Sequence, residues 1–248
     1  MAPIKYRRKY PKLNSKYRGG ADVDGSENVA HLYLHPENRL GVGSHSTVYH
    51  AALQLPAPLT ARTPNGRVRV AAKVSPHLGH VDEEMLCNEA EMYNAFPKHL
   101  AEDWCGYNLV PPDPHPVPVG AVVPKFYGFY EPYNIHGRSQ RPGPILLLEE
   151  CGEQICADSL TQDQKTECMS LIHRLHLERI VQGSCHARNI LRQPGPLYLP
   201  PEQRSSETPS FRIIDFGRGR RFASAGLKLQ DAVRSEQREA RKTLWLDN

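Results

Sequence analysis

Glu89 is the residue that most constrains how this chain folds. It lies in a segment with helical spacing, residues 82–96, and the four positions three and four residues away are all apolar: Met85, Leu86, Met92 and Tyr93. Such spacing places Glu89 in the middle of a buried helix face. Because an unpaired buried carboxylate is costly, Glu89 needs a cationic partner. We expect that partner to be Lys73, sixteen residues earlier on a predicted strand.

The sequence pattern predicts mainly strands in the N-terminal part of the chain and helices after them. Residues 38–54 predict two strands joined across Gly41 and Gly43, and residues 67–75 alternate as a strand after an Asn65-Gly66 turn. Further strands are predicted at 122–130 and 145–150, with a short strand pair at 190–192 and 211–215. Helices are predicted at 82–96, 161–180 and 226–245.

Length and composition indicate a globular protein. A chain of 248 residues with 39% hydrophobic residues can form one sizeable domain or two lobes around a cleft. No run of eighteen apolar residues occurs, so we expect no membrane partner, and no apolar stretch follows the basic N-terminus as in a secretory signal. Six cysteines without C-x-x-C spacing are typical of reduced thiols, which favours a cytoplasmic or nuclear location.

The positive charge is concentrated at the N-terminus. Residues 1–20 contain seven basic residues and no acidic residue, whereas the whole chain carries a net charge of +4. We expect a basic disordered tail at 1–20 followed by a single domain at 21–248. Such a tail can contact nucleic acid or acidic lipid, and a solvated arm without a partner is the alternative interpretation.

Three Pro-rich stretches separate the predicted elements, at 56–64, 111–124 and 194–209. Each lies between segments predicted to be regular structure, so we expect long surface loops and no domain boundaries. The run from Trp104 to Tyr107, Trp-Cys-Gly-Tyr, is unusual and has no role in this interpretation.

Two segments near the N-terminus have the composition of a nucleotide site. Gly41 and Gly43 can present backbone N–H groups to phosphates without side-chain obstruction. Strand alternation places Ala71 and Lys73 on one face, where a small residue beside a lysine suits an adenine ring and its phosphates. Each segment alone also fits a bland alternative, a plain hairpin turn for the first and a solvated lysine for the second.

Two later segments offer ligands for a hard cation. Residues 182–189 read Gln-Gly-Ser-Cys-His-Ala-Arg-Asn, and residues 214–217 read Ile-Asp-Phe-Gly. Asn189 and Asp215 supply an amide oxygen and a carboxylate, the ligand types that Mg²⁺ takes. An apolar strand, Ile145–Leu148, precedes them and runs into a connection that contains Gly152.

Taken in order, these segments resemble the protein-kinase-like superfamily over residues 38–217. The Pro-rich loops and the run from Asn189 to Gly217 are also similar to small fungal kinase-like proteins. The resemblance implies an α+β, bilobal fold with a five-stranded antiparallel N-lobe sheet at about 30–150 and a minimal, truncated helical C-lobe at about 151–248. It also implies ATP and Mg²⁺ as cofactors.

The resemblance assigns a role to each candidate residue. The Lys73–Glu89 ion pair would position the nucleotide phosphates, and Asn189 and Asp215 would bind the metal. In this resemblance Ser46 replaces the third glycine of the loop, and Glu149 and Cys151 form the hinge that contacts adenine. The residues implied to contact the nucleotide are Gly41, Gly43, Ser46, Val48, Ala71, Lys73, Glu149 and Cys151.

One departure from the kinase pattern concerns catalysis. Gln182-Gly183-Ser184 stands where kinases have His-Arg-Asp, so Ser184 replaces the aspartate that accepts the substrate proton. A general base contributes about 10²–10⁴-fold, so its loss costs about 3–5 kcal/mol of barrier. Arg188 could still contact the γ-phosphate and His186 could act as a poor surrogate base, although packing of the loop explains both residues as well.

A second departure concerns length, because only 31 residues follow Gly217 and they leave little room for a platform that binds a protein substrate. The leading hypothesis is therefore a pseudokinase-like protein that binds ATP and Mg²⁺. Two alternatives stay open. One is an active atypical kinase acting on a protein or small molecule, and the other is a nucleotide-independent scaffold that docks through its basic tail.

Overall fold

The structure is a computed structural model that describes residues 4–10, 30–43, 46–55, 66–75, 80–133 and 142–246. The protein is mixed α+β, and every strand pair in the described part is antiparallel. The strands are β1 Lys5–Tyr10, β2 His31–Tyr33, β3 Arg39–Val42, β4 Thr47–Gln54, β5 Arg67–Val74, β6 Tyr107–Asn108, β7 Val117–Pro118, β8 Phe126–Tyr133, β9 Ile145–Leu148, β10 Glu153–Gln154, β11 Ile180–Val181, β12 Ile190–Gly195, β13 Ser205–Ile213 and β14 Arg220–Arg221. The helices are α1 His80–Ala95, α2 Gln162–Leu177 and α3 Leu227–Thr243.

The chain divides into two compact units. Unit 1 comprises Met1–Asn94 and Phe126–Glu150, and unit 2 comprises Ala95–Lys125 and Cys151–Asn248. Within the described residues, no helix is long and apolar enough to cross a membrane. All six cysteines are free, as their spacing predicted.

The main sheet of unit 1 has seven strands in the order β1-β8-β9-β5-β4-β2, with β3 also paired to β4. The five predicted strands are present as β3, β4, β5, β9 and β8, but β8 begins at Phe126 and not at residue 122. The prediction of a five-stranded sheet is therefore wrong in number, because β1 and β2 extend it.

The strand β1 corrects the prediction of a disordered tail at 1–20. Tyr6 packs against an apolar cluster on one face of the sheet and donates a hydrogen bond to the backbone oxygen of Gly143 at 3.2 Å. Leu32 of β2 packs against the same cluster. The extra strands therefore cover apolar surface that the five predicted strands leave open. Residues 11–29 lie outside the described residues. The cluster consists of Ala51, Val70, Ala72, Ile145 and Leu147.

The opposite side of β1 contacts helix α1. The Tyr10 hydroxyl donates to Glu91 Oε1 at 3.0 Å, and Lys9 Nζ donates to Glu131 Oε1 of β8 at 2.8 Å. Lys9 Nζ also lies 5.9 Å from the centre of the Phe129 ring. The first strand thus ties the helix that carries Glu89 to the edge of the sheet.

Helix α1 confirms the predicted buried face. Leu86, Met92 and Tyr93 are buried, and Met85 is half-buried. The helix ends before Pro97, which cannot donate the backbone hydrogen bond that a further turn needs.

Helix α2 forms the centre of unit 2. It begins with a capping box in which Gln164 N–H donates to Thr161 Oγ1 and Thr161 N–H donates to Gln164 Oε1, both at 3.2 Å. Cys168, Ile172 and Leu175 are fully buried, as predicted from their spacing. The helix is shorter than predicted, because Arg179 adopts a left-handed conformation with φ +58°.

The second Pro-rich stretch, 111–124, is not the surface loop that we expected. Val122 N–H donates to Leu100 O at 2.7 Å, and Val122 O accepts from Ile213 N–H of β13 at 2.8 Å. The fully buried Arg212 donates to the backbone oxygen of Ala121 at 3.0 Å. These bonds attach the segment Ala95–Lys125 to the rest of unit 2. The expected N-lobe, about 30–150, had included this segment.

The third Pro-rich stretch, 194–209, belongs mostly to the hairpin β12–β13, which is longer than predicted. Ile190 pairs with Ile213 at one end of this hairpin, next to the segments that contain Asn189 and Asp215. The first Pro-rich stretch, 56–64, lies outside the described residues.

Candidate functional site

Lys73 and Glu89 form the predicted ion pair inside unit 1. Lys73 Nζ lies 2.6 Å from Glu89 Oε2, and the two side chains are 15% and 2% exposed. Strand β5 supplies the lysine and helix α1 supplies the carboxylate. The apolar helix face around Glu89 forces the carboxylate inward, and the lysine compensates its charge.

The Gly-containing segment lies beside this pair in the sheet. Gly41 of β3 pairs with Val48 of β4, and Val48 pairs with Lys73 of β5. The turn closes through a hydrogen bond from Gly43 N–H to Ser46 O at 2.8 Å. Gly41, Val48 and Lys73 therefore lie side by side on three adjacent strands, with half-buried Ala71 two residues from Lys73. Ser44 and His45 lie outside the described residues.

The two loop glycines are not required by the fold itself. A Cβ atom at Gly41 would meet nothing within 4 Å, and one at Gly43 would meet Ser46 O at 3.5 Å, an ordinary contact. Neither glycine has a positive φ. Close approach of a ligand to the backbone is a remaining physical reason for glycine at these positions.

The expected hinge coincides with the boundary of the two units. Strand β9 ends at Leu148, the chain leaves unit 1 after Glu150, and Cys151 is buried in unit 2. Glu149 is the last residue but one of unit 1. Gly152 follows with φ +83°, a conformation that favours glycine, and a Cβ atom there would collide with the backbone oxygen of Arg192.

In unit 2, the fully buried side chain of Gln182 joins the two predicted loops. Its Nε2 donates to the backbone oxygens of Ile214 at 2.9 Å and Asp215 at 2.8 Å. Its Oε1 accepts from Ser184 N–H at 2.7 Å. An amide can donate twice and accept at the same time, so Gln182 holds both loops with one side chain.

Asn189 and Asp215 are brought to the same end of the hairpin β12–β13. Ile214 N–H donates to Asn189 O at 2.9 Å, which places the two metal candidates on adjacent segments. The buried Asn189 side chain donates through Nδ2 to Ser184 O at 2.8 Å, which leaves Oδ1 as the atom that could bind a metal. Asp215 has φ +64°, a strained conformation for a residue other than glycine.

The donor set fits Mg²⁺ that is also bound by phosphate. An amide oxygen and a carboxylate are hard oxygen ligands, but two protein ligands leave most of the octahedral positions to phosphate and water. Within the residues that the structure describes, no group of three or more His, Cys, Asp or Glu side chains could hold a metal alone. Metal binding here would therefore depend on a phosphate-bearing ligand.

The catalytic candidates are placed less favourably. Ser184 is buried, with its hydroxyl 3.5 Å from Asn189 Nδ2. His186 Nδ1 lies 3.8 Å from Glu239 Oε1 of α3, and both side chains are exposed, so His186 is held against the surface of that helix. Arg188 is exposed and forms no hydrogen bond or ion pair with a described residue.

Sequence reasoning missed Glu236, a buried residue of α3. Its Oε1 accepts from Gly183 N–H at 2.6 Å, and its Oε2 lies 2.7 Å from His176 Nε2. Glu236 occupies a stripe with Leu229, Val233 and Ala240 at helical spacing. A carboxylate in an apolar stripe is the signal that identified Glu89, and the same signal would have found Glu236.

No protein-family model matches the chain, and no curated protein is significantly similar to it. The functional interpretation therefore depends on the residues and their geometry.

Proposed function

We propose that the protein binds ATP with Mg²⁺ and transfers phosphate weakly or not at all. The observation that carries the proposal is the buried contact between Lys73 and Glu89 at 2.6 Å. A buried ion pair adds little stability over two apolar residues of similar volume. A role of the lysine in binding phosphate therefore accounts for the pair better than stability does.

Unit 1 supplies the nucleotide contacts in this proposal. The Lys73 ammonium binds phosphate oxygens, and Glu89 fixes its position. Gly41 and Gly43 let the phosphates approach the backbone closely, because neither residue carries a side chain, while the Gly43 N–H itself is donated to Ser46 O. Val48 and Ala71 supply small apolar surface for the adenine ring.

Unit 2 supplies the metal ligands. Asn189 Oδ1 and the Asp215 carboxylate bind Mg²⁺ together with phosphate oxygens and water. Gln182 keeps the two ligand segments in register through its hydrogen bonds to both of them. Bound Mg²⁺ neutralises phosphate charge, which is the chemistry that it supplies in nucleotide sites.

Weak transfer follows from Ser184. A buried hydroxyl is a poor proton acceptor. The exposed Arg188 remains as a cation for the transferred group, so electrostatic stabilisation would persist without a general base. The expected reduction in rate is about 10²–10⁴-fold relative to a kinase with the aspartate.

A thermal-shift titration tests nucleotide binding. Mg·ATP at a hundred times its Kd should stabilise the wild type by about 2.7 kcal/mol. Asp215→Asn and the double variant Lys73→Met/Glu89→Leu should lose the shift. Arg69→Met is the matched control, because Arg69 lies on the same strand but forms an exposed ion pair with Glu150 at 2.7 Å.

The outcomes separate the alternatives. A wild type that shows no shift with Mg·ATP contradicts the proposal and favours the nucleotide-independent scaffold. Turnover of radiolabelled ATP at ordinary kinase rates, about 1–100 s⁻¹, would instead establish the active atypical kinase.

A further inference from the structure

Unit 2 contains a cavity of about 650 Å³. None of the residues proposed above for nucleotide or metal binding lines it. Its volume is in the range of small-molecule sites, about 300–1,000 Å³. The cavity is therefore a candidate for a second ligand, distinct from the nucleotide.

Three exposed aromatic rings line the cavity. Trp104 and Tyr107, which are 51% and 76% exposed, line the cavity together with Tyr198. The antiparallel pair β6–β7 and the hydrogen bond from Val119 N–H to Gly106 O at 2.9 Å fix the segment that carries the first two rings. The unusual Trp-Cys-Gly-Tyr run of the sequence thereby acquires a location at a cavity.

Glu167 of α2 brings an uncompensated carboxylate to this cavity. It is half-buried, and its side chain forms no hydrogen bond or ion pair with any described residue. Burial raises the pKa of Glu167 to about 7, although the positive charge of Arg212 opposes the shift. A desolvated carboxylate of this kind is stabilised by a ligand that brings a positive charge and hydrogen-bond donors.

Arg212, the cation in the lining, is engaged through its two terminal nitrogens, and its Nε has no hydrogen-bond partner among the described residues. Arg212 is fully buried and donates to Asp103 Oδ1 at 2.9 Å and to the backbone oxygens of Ala121 and Phe211. Asp103 also pairs with Lys125 Nζ at 2.8 Å, so one carboxylate serves two cations. Asp163 and Glu207 add two more carboxylates to the lining. Its other titratable groups are the exposed His115, Cys105, Tyr107 and Tyr198. The open surface therefore presents hydrogen-bond acceptors and aromatic faces.

We propose that this cavity binds an organic cation that carries a primary ammonium group on an apolar chain. The ammonium group donates hydrogen bonds to the Glu167 carboxylate. The apolar chain of the ligand packs against Trp104 and Tyr107. The faces of these rings also attract the positive charge of the ammonium group. A bare metal ion does not fit, because the described residues contain no group of three or more metal-ligating side chains.

The probe is cadaverine, a five-carbon diamine, and the control is 1,5-pentanediol, an uncharged molecule of similar length. Isothermal titration of the full chain should give saturable binding of cadaverine and none of the diol. In a Trp245→Phe variant, which leaves Trp104 as the sole tryptophan, cadaverine should change the fluorescence. Glu167→Gln should weaken binding about tenfold or more, since it removes a charge-assisted hydrogen bond.

The pH dependence is a second measurement on the wild type alone. A proton on Glu167 competes with the cation, so a group with pKa about 7 makes binding about tenfold weaker at pH 6 than at pH 8. Asp163→Asn should retain this dependence. Equal binding of the diol, unchanged affinity in Glu167→Gln, or absence of saturable binding at pH 8 would each overturn the proposal.

Discussion

Glu236 Oε1 of helix α3 accepts a hydrogen bond from the Gly183 N–H at 2.6 Å, while its Oε2 lies 2.7 Å from His176 Nε2 of α2. One buried carboxylate thus links the last helix to the loop that leads to Asn189. Thr243 Oγ1 adds a second link by donating to Cys185 O at 2.7 Å. The short C-terminal segment therefore supports the candidate metal loop directly.

The first prediction concerns this link. Glu236→Gln replaces one acceptor by an amide donor and should destabilise the fold by about 1–3 kcal/mol in urea denaturation, because buried polar groups lose their partners. Glu239→Gln, on the exposed face of the same helix, is the control and should change stability little. Equal effects of the two variants would show that the Gly183 contact is unimportant.

The second prediction concerns the ion pair of unit 1. Lys73→Met leaves the Glu89 carboxylate buried without its cation and should cost about 3–5 kcal/mol of unfolding free energy. Lys73→Met/Glu89→Leu should recover most of that loss, because neither charge remains. Chemical denaturation measures both. A double variant as unstable as the single one would show that packing, and not charge, sets the effect.

The third prediction concerns strand β1. Tyr6→Ala should destabilise unit 1 by about 1–3 kcal/mol, because it exposes part of the apolar cluster and removes the hydrogen bond to Gly143 O. Tyr6→Phe keeps the packing and should cost about 1 kcal/mol. Urea denaturation of both variants measures the difference. If Tyr6→Ala has no effect, β1 does not stabilise the sheet.

The fourth prediction concerns the pH dependence of stability. Burial raises the pKa of Glu167 to about 7, so between the unfolded value of about 4.5 and pH 7 the folded protein binds more protons than the unfolded chain. The contribution of Glu167 to stability is therefore fully present below pH 4.5 and is lost as the pH rises through 7. The unfolding free energy of Glu167→Gln relative to that of the wild type should therefore rise by about 2–3 kcal/mol as the pH increases from 5 to 8.

Urea denaturation at the two pH values measures this gain, and the exposed Glu102→Gln is the control. A constant difference in stability between wild type and Glu167→Gln across this range would contradict the prediction.

The fifth prediction concerns the catalytic loop. Ser184→Asp introduces a carboxylate next to Asn189 Nδ2, which already lies 3.5 Å from the serine hydroxyl. If nucleotide binds as proposed, radiolabelled phosphotransfer should rise by about 10²-fold or more. Ser184→Asn, similar in shape but without a base, should show no gain. A wild type as active as Ser184→Asp would mean that the serine is not the limiting residue.

The sequence predicted some tertiary contacts but not others, for a physical reason. Glu89 stood out because its apolar neighbours lie within one helical turn, and charge balance then required Lys73. Glu236 has three apolar neighbours at the same spacing, but the fourth is the exposed Glu239, and the many charges of the segment concealed the buried stripe. Tyr6 was missed because the seven basic residues around it were weighed as net charge and not as strand alternation.

Local sequence patterns were enough to predict β3, β4, β5, β8 and β9, the buried face of α1 and its ion pair, because residue spacing and the cost of a buried charge act locally. Tertiary structure alone decided the addition of β1 and β2 to the sheet and the attachment of Ala95–Lys125 to unit 2. It also decided the use of Gln182 to join two loops. These features depend on pairing between distant residues, such as Tyr6 and Gly143, 137 positions apart, and no local pattern specifies such a partner.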